Sequence, residues 1–320
     1  MPRLLLAALC ALFLWPSGSA NAQAWPSKPI RFVISFGPGS ASDAISRILA
    51  NELTKQLGQP VVIIHKPGAD GTISGVEVQR SAPDGYTFLF GTNSALAVAP
   101  NLRKAPPYNV LTDFTPVGMV GLNTLFFVVN PEVPAKSMTE LAAHVRANPG
   151  KLNAATGHTY AIVSTGLFAK HHGLKLETIP YKGEPDAIVD LLANRVQMMV
   201  STSTAVFGHA KEGKLRVLAA STDVRNPLWP DVPTLVEAGQ APHPFAAFFA
   251  VVGPAGLPGE IAERMNKEMA AAIAKPETRE LMKNQGVIAQ SSTIAEFSAY
   301  LKSQNETWKK ALAESGVEQN

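Results

Sequence analysis

Three short apolar runs, residues 30–36 (IRFVISF), 61–64 (VVII) and 87–90 (TFLF), are separated by stretches whose apolar residues recur at helical spacing. Ile45, Ile48, Leu49, Leu53 and Leu57 lie on one such helical face, and Gly58 follows as its stop. Pro67 to Gly71 forms a turn, residues 76–80 read as helical, and Pro83-Asp84-Gly85 is a tight turn before the third run. Strand, helix, strand, helix, strand is the pattern that most constrains the chain. Consecutive strands joined by helices must lie parallel, with the helices covering the sheet.

The alternation breaks near Val110. Residues 116–130 hold two apolar runs with no helix between them. Ser137 and Glu140 then stand at capping-box spacing, and alternation resumes. Strands are expected at 152–155, 177–180, 196–201 and 215–220, with helices at 160–171, 184–193 and up to Glu212. Residues 225–244 carry Pro227, Pro230, Pro233, Pro242 and Pro244, a density that argues for an irregular excursion. An apolar strand at 245–252 follows, then helices at 259–274, 277–285 and 293–314, the last opened by a Thr293/Glu296 capping box. Two strand-like passages, 117–129 and 245–252, therefore join two α/β units. That predicts a hinge and a cleft, with a first domain of residues 25–122 and 247–290 and a second of 123–246. The last helix, 291–320, is left unassigned between them.

Residues 1–24 read as an export signal. Arg3 precedes an apolar stretch at 4–15 that is too short to span a bilayer, and cleavage after Ala22 or Ala24 fits the small-residue rule. Cys10 is the only cysteine and lies inside this stretch, so the exported form has no thiol chemistry. About 300 residues remain, enough for two domains of ordinary size. The formal net charge is +3 and no block of like charge exceeds a few residues, so there is no footprint for nucleic acid. No later apolar run is long enough for a membrane helix.

In open α/β sheets ligands sit beyond the carboxyl ends of strands, so the turns that follow strands are the candidate site. Gly37, Gly39, Ser40, Ala41, Ser42 and Asp43 lie between the first strand and its helix. A helix start offers unpaired N–H groups and partial positive charge, which hold an anion without a cationic side chain. Asp43 is either a first-turn acid or a ligand contact. Gly68 and Ala69 follow the second strand, Thr92 and Ser94 the third. In the second unit Thr156 and Gly157 precede a helix, and Ser201 and Thr202 follow a strand. These neutral donors suit a polar or anionic small molecule, and the Ser and Thr residues equally suit helix caps. Phe36, Tyr160 and Phe249 are candidate apolar walls. The sequence lacks a third glycine for a dinucleotide loop, a Gly-Lys-Ser/Thr element, a nucleophile elbow and metal-ligand spacing among its histidines. No catalytic residue, metal site or cofactor is expected.

Several stretches in order, WPSKPIRFVISFGPGSASD, LGQPVVIIHKPGADGTI, APDGYTFLFGT, DFTPVGMV, IPYKG, GKLRVLA, WPDVPTLVEAG and GPAGLP, resemble the substrate-binding proteins of tripartite tricarboxylate transporters, the TctC or Bug family. The resemblance covers essentially all of the chain after residue 24. It implies a periplasmic monomer with two α/β domains of the type II binding-protein kind, each a mixed sheet flanked by helices. It also implies capture of a small organic carboxylate, handed to large and small membrane subunits. The family's two facing loops map onto Gly37 to Asp43 and onto Thr156 to Thr165. A binding protein that feeds a signalling partner would share these features. Three departures bear on the ligand: Tyr160 is bulky for its loop, Asp70 stands at a common glycine, and Ser201 stands where the family often has Asp. The last predicts a neutral pocket for a plain mono- or dicarboxylate.

Overall fold

A computed structural model describes residues 25–243 and 247–315. The expected export signal and Cys10 lie outside the described residues, as does Phe245 at the start of an expected strand.

The chain builds two mixed sheets. The first contains β1 (Ile30–Ile34), β2 (Val61–His65), β3 (Thr87–Thr92), β4 (Phe114–Asn123), β10 (Ala247–Pro254) and β11 (Val287–Ala289), in the order β11-β4-β10-β3-β1-β2. β1 pairs in parallel with β2 and β3, as helical crossovers require, through α1 (Ala41–Leu57) and α2 (Thr72–Gln79). β10 runs antiparallel between β3 and β4. The second sheet has the order β7-β6-β8-β5-β9, built from β5 (Leu125–Val129), β6 (Asn153–Thr156), β7 (Glu177–Pro180), β8 (Met198–Thr202) and β9 (Arg216–Ala220). Its helices are α3 (Met138–Ala147), α4 (Thr159–His171), α5 (Glu184–Leu192) and α6 (Ser203–Lys211). Helices α7 (Gly259–Ala274), α8 (Pro276–Asn284) and α9 (Ile294–Ser315) finish the chain.

Phe32, Phe90 and Phe249 run across the first sheet, with ring centroids 6.1 Å apart for Phe32 and Phe90 and 5.8 Å for Phe90 and Phe249. Each is buried, and each burial stabilises by about 1.5–3 kcal/mol.

Two elements escape the sequence pattern. β11 is three residues long and pairs only at the edge, on β4, so it has no periodicity to detect. Ser94, read from sequence as part of a hydroxyl-bearing turn after the third strand, opens one turn of π-helix (Ser94–Val98) closed by the Ala99 N–H on the Ser94 carbonyl at 2.8 Å. Ala95, Leu96, Ala97 and Val98 are all buried there, and their apolar run carries the turn into the core.

The chain crosses between sheets at Thr124, directly between β4 and β5, and again between β9 and β10. Asn226 ties the crossings together: its Nδ2 donates to Thr124 Oγ1 at 2.9 Å and to the Gly286 carbonyl at 3.2 Å. Helix α9 spans both sheets. Phe297 and Leu301 pack with Val33, Leu89 and Phe248 of the first sheet, while Trp308, Ala311 and Leu312 enter the core of the second with Phe127 and Tyr160.

Candidate functional site

A cavity of about 670 Å³ lies between the two sheets, at the carboxyl ends of β1, β2 and β3 on one side and of β6, β7 and β8 on the other. Its size suits a small molecule.

On the first side, α1 begins at the wall. Ser40 is its N-cap, with an extended backbone and an Oγ that accepts the Asp43 N–H at 3.3 Å. Such a cap is worth about 1 kcal/mol. Gly39 turns the chain into the helix at φ +80°, where a Cβ would be strained. Asp43 accepts the Gly39 N–H at 3.1 Å on Oδ2, and Arg47 Nε and His65 Nε2, each at 2.9 Å, on Oδ1. Burial pushes its carboxyl up, but these three donors outweigh burial and hold it below the ordinary range. Asp43 therefore orders the turn, and neither it nor Gly39 lines the cavity. Ser40, Ala41 and Ser42 do line it, together with Phe36 and Gly37. The first N–H groups of α1 have no partner within the helix and lie at this wall.

The loops after β2 and β3 complete this side. Gly68 and Ala69 line the cavity, and so do Thr92 and Ser94. Asn93 and Asn123 join them. Thr92 Oγ1, Asn93 Nδ2 and Asn123 Oδ1 are buried polar atoms with no hydrogen-bond partner among the described residues. Residues this buried normally satisfy such groups, so three orphans on one cavity wall mark a polar recognition surface.

The second side starts with His158. Its Nδ1 accepts the Ala161 N–H at 3.2 Å and caps α4, which leaves the ring proton on Nε2. That nitrogen lies 3.4 Å from Glu184 Oε1. Glu184 also accepts Ser201 Oγ at 2.7 Å, the Thr202 N–H at 2.6 Å and Thr202 Oγ1 at 2.6 Å. Burial pushes the Glu184 carboxyl up, but His158 and Thr202 outweigh it and hold the group below its ordinary value. Gly157 lets the two loops meet: a Cβ there would lie 2.9 Å from the Glu184 backbone nitrogen and 3.0 Å from the Gly183 carbonyl carbon.

Gly157, Tyr160, Thr202 and Phe249 line the cavity, whereas Thr156, Thr165 and Ser201 do not. Thr156 Oγ1 donates to the Ile179 carbonyl at 3.3 Å within the sheet, Thr165 is buried in α4, and Ser201 spends its hydroxyl on Glu184. Tyr160 is only 1% exposed and packs edge-on against Trp308, with ring centroids 5.4 Å apart, so it serves packing with an edge at the wall. The pocket is also not the neutral one that Ser201 suggests from sequence. Glu184 fills the space beside Ser201, and Asp70 lines the opposite loop. Sequence reasoning misses His158, Glu184, Tyr181, Lys182 and Asn93 as site residues. Tyr181 and Lys182 lie within the IPYKG stretch, which is the available signal.

The chain matches the family model of the tripartite tricarboxylate transporter family receptor over residues 45–317. It belongs to that receptor family. The receptor is 34% identical to Protein BugT of Bordetella pertussis over 325 residues, covering 99% of this chain and 98% of that one. Among solved structures it is similar to R. palustris Rpa4515 with adipate, at TM-score 0.87 and 27% identity, covering 91% of this chain and 98% of that chain. The periplasmic binding protein BugD is similar at TM-score 0.86 and 30% identity, over 92% of this chain and all of that one (100%). The family and these neighbours are solute-binding proteins rather than enzymes.

Proposed function

We propose that this receptor works in the periplasm as a monomer, takes a small organic carboxylate into the cleft and delivers it to the large and small membrane subunits of a tripartite transporter. The observation that carries the reading is the pair of orphan donors, Thr92 Oγ1 and Asn93 Nδ2, on the same wall as the start of α1. Asn93 Nδ2 and the free N–H groups of α1 would receive the carboxylate, which needs no cation there because the helix start carries partial positive charge. The similar R. palustris structure is of Rpa4515 with adipate, and that supports a carboxylate ligand here. Among the described residues no helix is long and apolar enough to cross a membrane, which accords with a receptor that meets its membrane subunits as a separate chain.

The second sheet would close on the bound ligand by bending at Thr124 and between β9 and β10, a hinge of the kind that other two-domain binding proteins use. With the carboxylate held by neutral donors, freeing that end of the ligand needs no buried ion pair to be broken.

Thermal-shift screening against citrate, aliphatic dicarboxylates, aromatic carboxylates, amino acids and nicotinate tests the reading, because a ligand that binds only the folded state raises the melting midpoint. At least one carboxylate is expected to do so. With neutral sugars and simple cations run as controls, a screen in which only those controls stabilise the protein would refute it.

A further inference from the structure

Asp70 sits in the turn after β2, where its neighbours Gly68, Ala69 and Gly71 all line the cavity with it. Its backbone is left-handed, φ +56° and ψ 30°, a conformation that glycine adopts at no cost and that Asp and Asn tolerate. Among the described residues its carboxyl makes no hydrogen bond and no ion pair. Arg103 and His158 act on it only through space. Arg103 donates one N–H to the Ala69 carbonyl at 3.4 Å, and His158 caps α4 through Nδ1 while its Nε2 faces Glu184 Oε1 at 3.4 Å. Of the other carboxyls that line the cavity, Glu184 accepts three hydrogen bonds and Asp186, on the second side, is exposed. Asp70 is therefore the one carboxyl on the wall of the first sheet's side that has acceptor capacity to spare for a ligand.

Resting on the carboxylate reading above, we infer that Asp70 selects carboxylates that carry a second, positively charged hydrogen-bond donor, with the ligand's protonated amine on Asp70 and its carboxylate on Asn93 and the start of α1. The cost of taking the Asp70 carboxylate out of water falls on the protein unless a partner compensates it. Burial pushes this carboxyl up from its ordinary value despite the pull of Arg103 and His158, which is the signature of a group whose compensation is incomplete. A ligand ammonium supplies the missing partner. A second ligand carboxylate at the same place adds like-charge repulsion, so the same residue excludes dicarboxylates of matching length.

The test is isothermal titration of the full chain with matched probes: 4-aminobutyrate against succinate, 6-aminohexanoate against adipate, and glutamate against glutarate. In at least one pair the amino-bearing probe is expected to bind tighter by about tenfold or more. Asp70→Asn keeps a residue that accepts the left-handed backbone, so its melting midpoint should hold. It should weaken the amino-bearing probe by about tenfold or more and leave the dicarboxylate unchanged or tighter. Asp70→Gly should do the same. Preference for the dicarboxylate in every pair overturns the inference, as does equal weakening of both members of a pair in Asp70→Asn. If no carboxylate binds at all, the carboxylate reading itself fails and the inference falls with it.

Discussion

Ser201 Oγ donates to Glu184 Oε1 at 2.7 Å, and this bond joins the end of β8 to the start of α5 beneath the cleft. Thr202 contributes its N–H and its hydroxyl to the same carboxylate, and His158 faces it at 3.4 Å. A buried acid is tolerable because such hydrogen bonds replace the water it gives up.

This network predicts an acid-sensitive stability. The folded state holds the Glu184 carboxyl below the 4.5 of an ordinary glutamate, so the ionised form favours the fold. Its contribution is fully present above that value and is lost as pH falls through the lowered folded value. Glu184→Gln should lower the melting midpoint at neutral pH, and the gap to the wild type should shrink in acid. Melting curves of both proteins from about pH 7 down to about pH 3 check this. Parallel curves across the range would show that folding does not lower the Glu184 carboxyl and would contradict this account.

Gly157→Ala should be costly for a residue in a loop. The added methyl would press on the backbone at Gly183 and Glu184, neither of which is a flexible side-chain end. A loss of about 1–3 kcal/mol in urea unfolding is expected, together with weaker ligand binding, because the start of α4 must move. An unchanged midpoint and unchanged affinity would mean that the two loops separate freely.

Much of this is legible in the sequence, for reasons that differ by residue. Strands β1, β2 and β3 and helix α1 announce themselves because their periodicity reports burial directly. The cleft wall at Ser40 and Ser42 is legible because Gly-Pro-Gly before a helix restricts what the chain can do. Asp43 is ambiguous in sequence, since a first-turn acid looks alike whether it meets a ligand or, as here, Gly39, Arg47 and His65. Glu184 escapes notice because its partners Ser201 and Thr202 lie far along the chain and only the β7-β6-β8 pairing brings the loops together. Ser201 misleads for the same reason: the missing acid at one position is supplied by Glu184 from the start of α5. Helix α9 resists assignment because its two ends pack on different sheets, which no local pattern can report.

Trp308→Ala tests that double attachment. Trp308 is fully buried against Tyr160 in the second sheet's core. Its removal should cost about 3–5 kcal/mol. Because α9 also holds Phe297 and Leu301 against the first sheet, the loss should lower the midpoint of both sheets together rather than one alone. Fluorescence from Trp229, in the second sheet's unit, and from Trp25, against the first, read separately in single-Trp backgrounds, would reveal the alternative of two separate transitions.

The central claim, that the orphan donors beside α1 take a carboxylate, is tested most directly by one comparison. The melting midpoints of the wild type and Asn93→Asp would be measured with each carboxylate of the screen. Replacing the Asn93 amide by a carboxylate removes the donor and places like charge at the wall. Any carboxylate that raises the wild-type midpoint is then expected to give Asn93→Asp little or no shift. An equal shift in both proteins would contradict the claim, because the anion would then be bound somewhere other than the wall formed by Asn93 and α1.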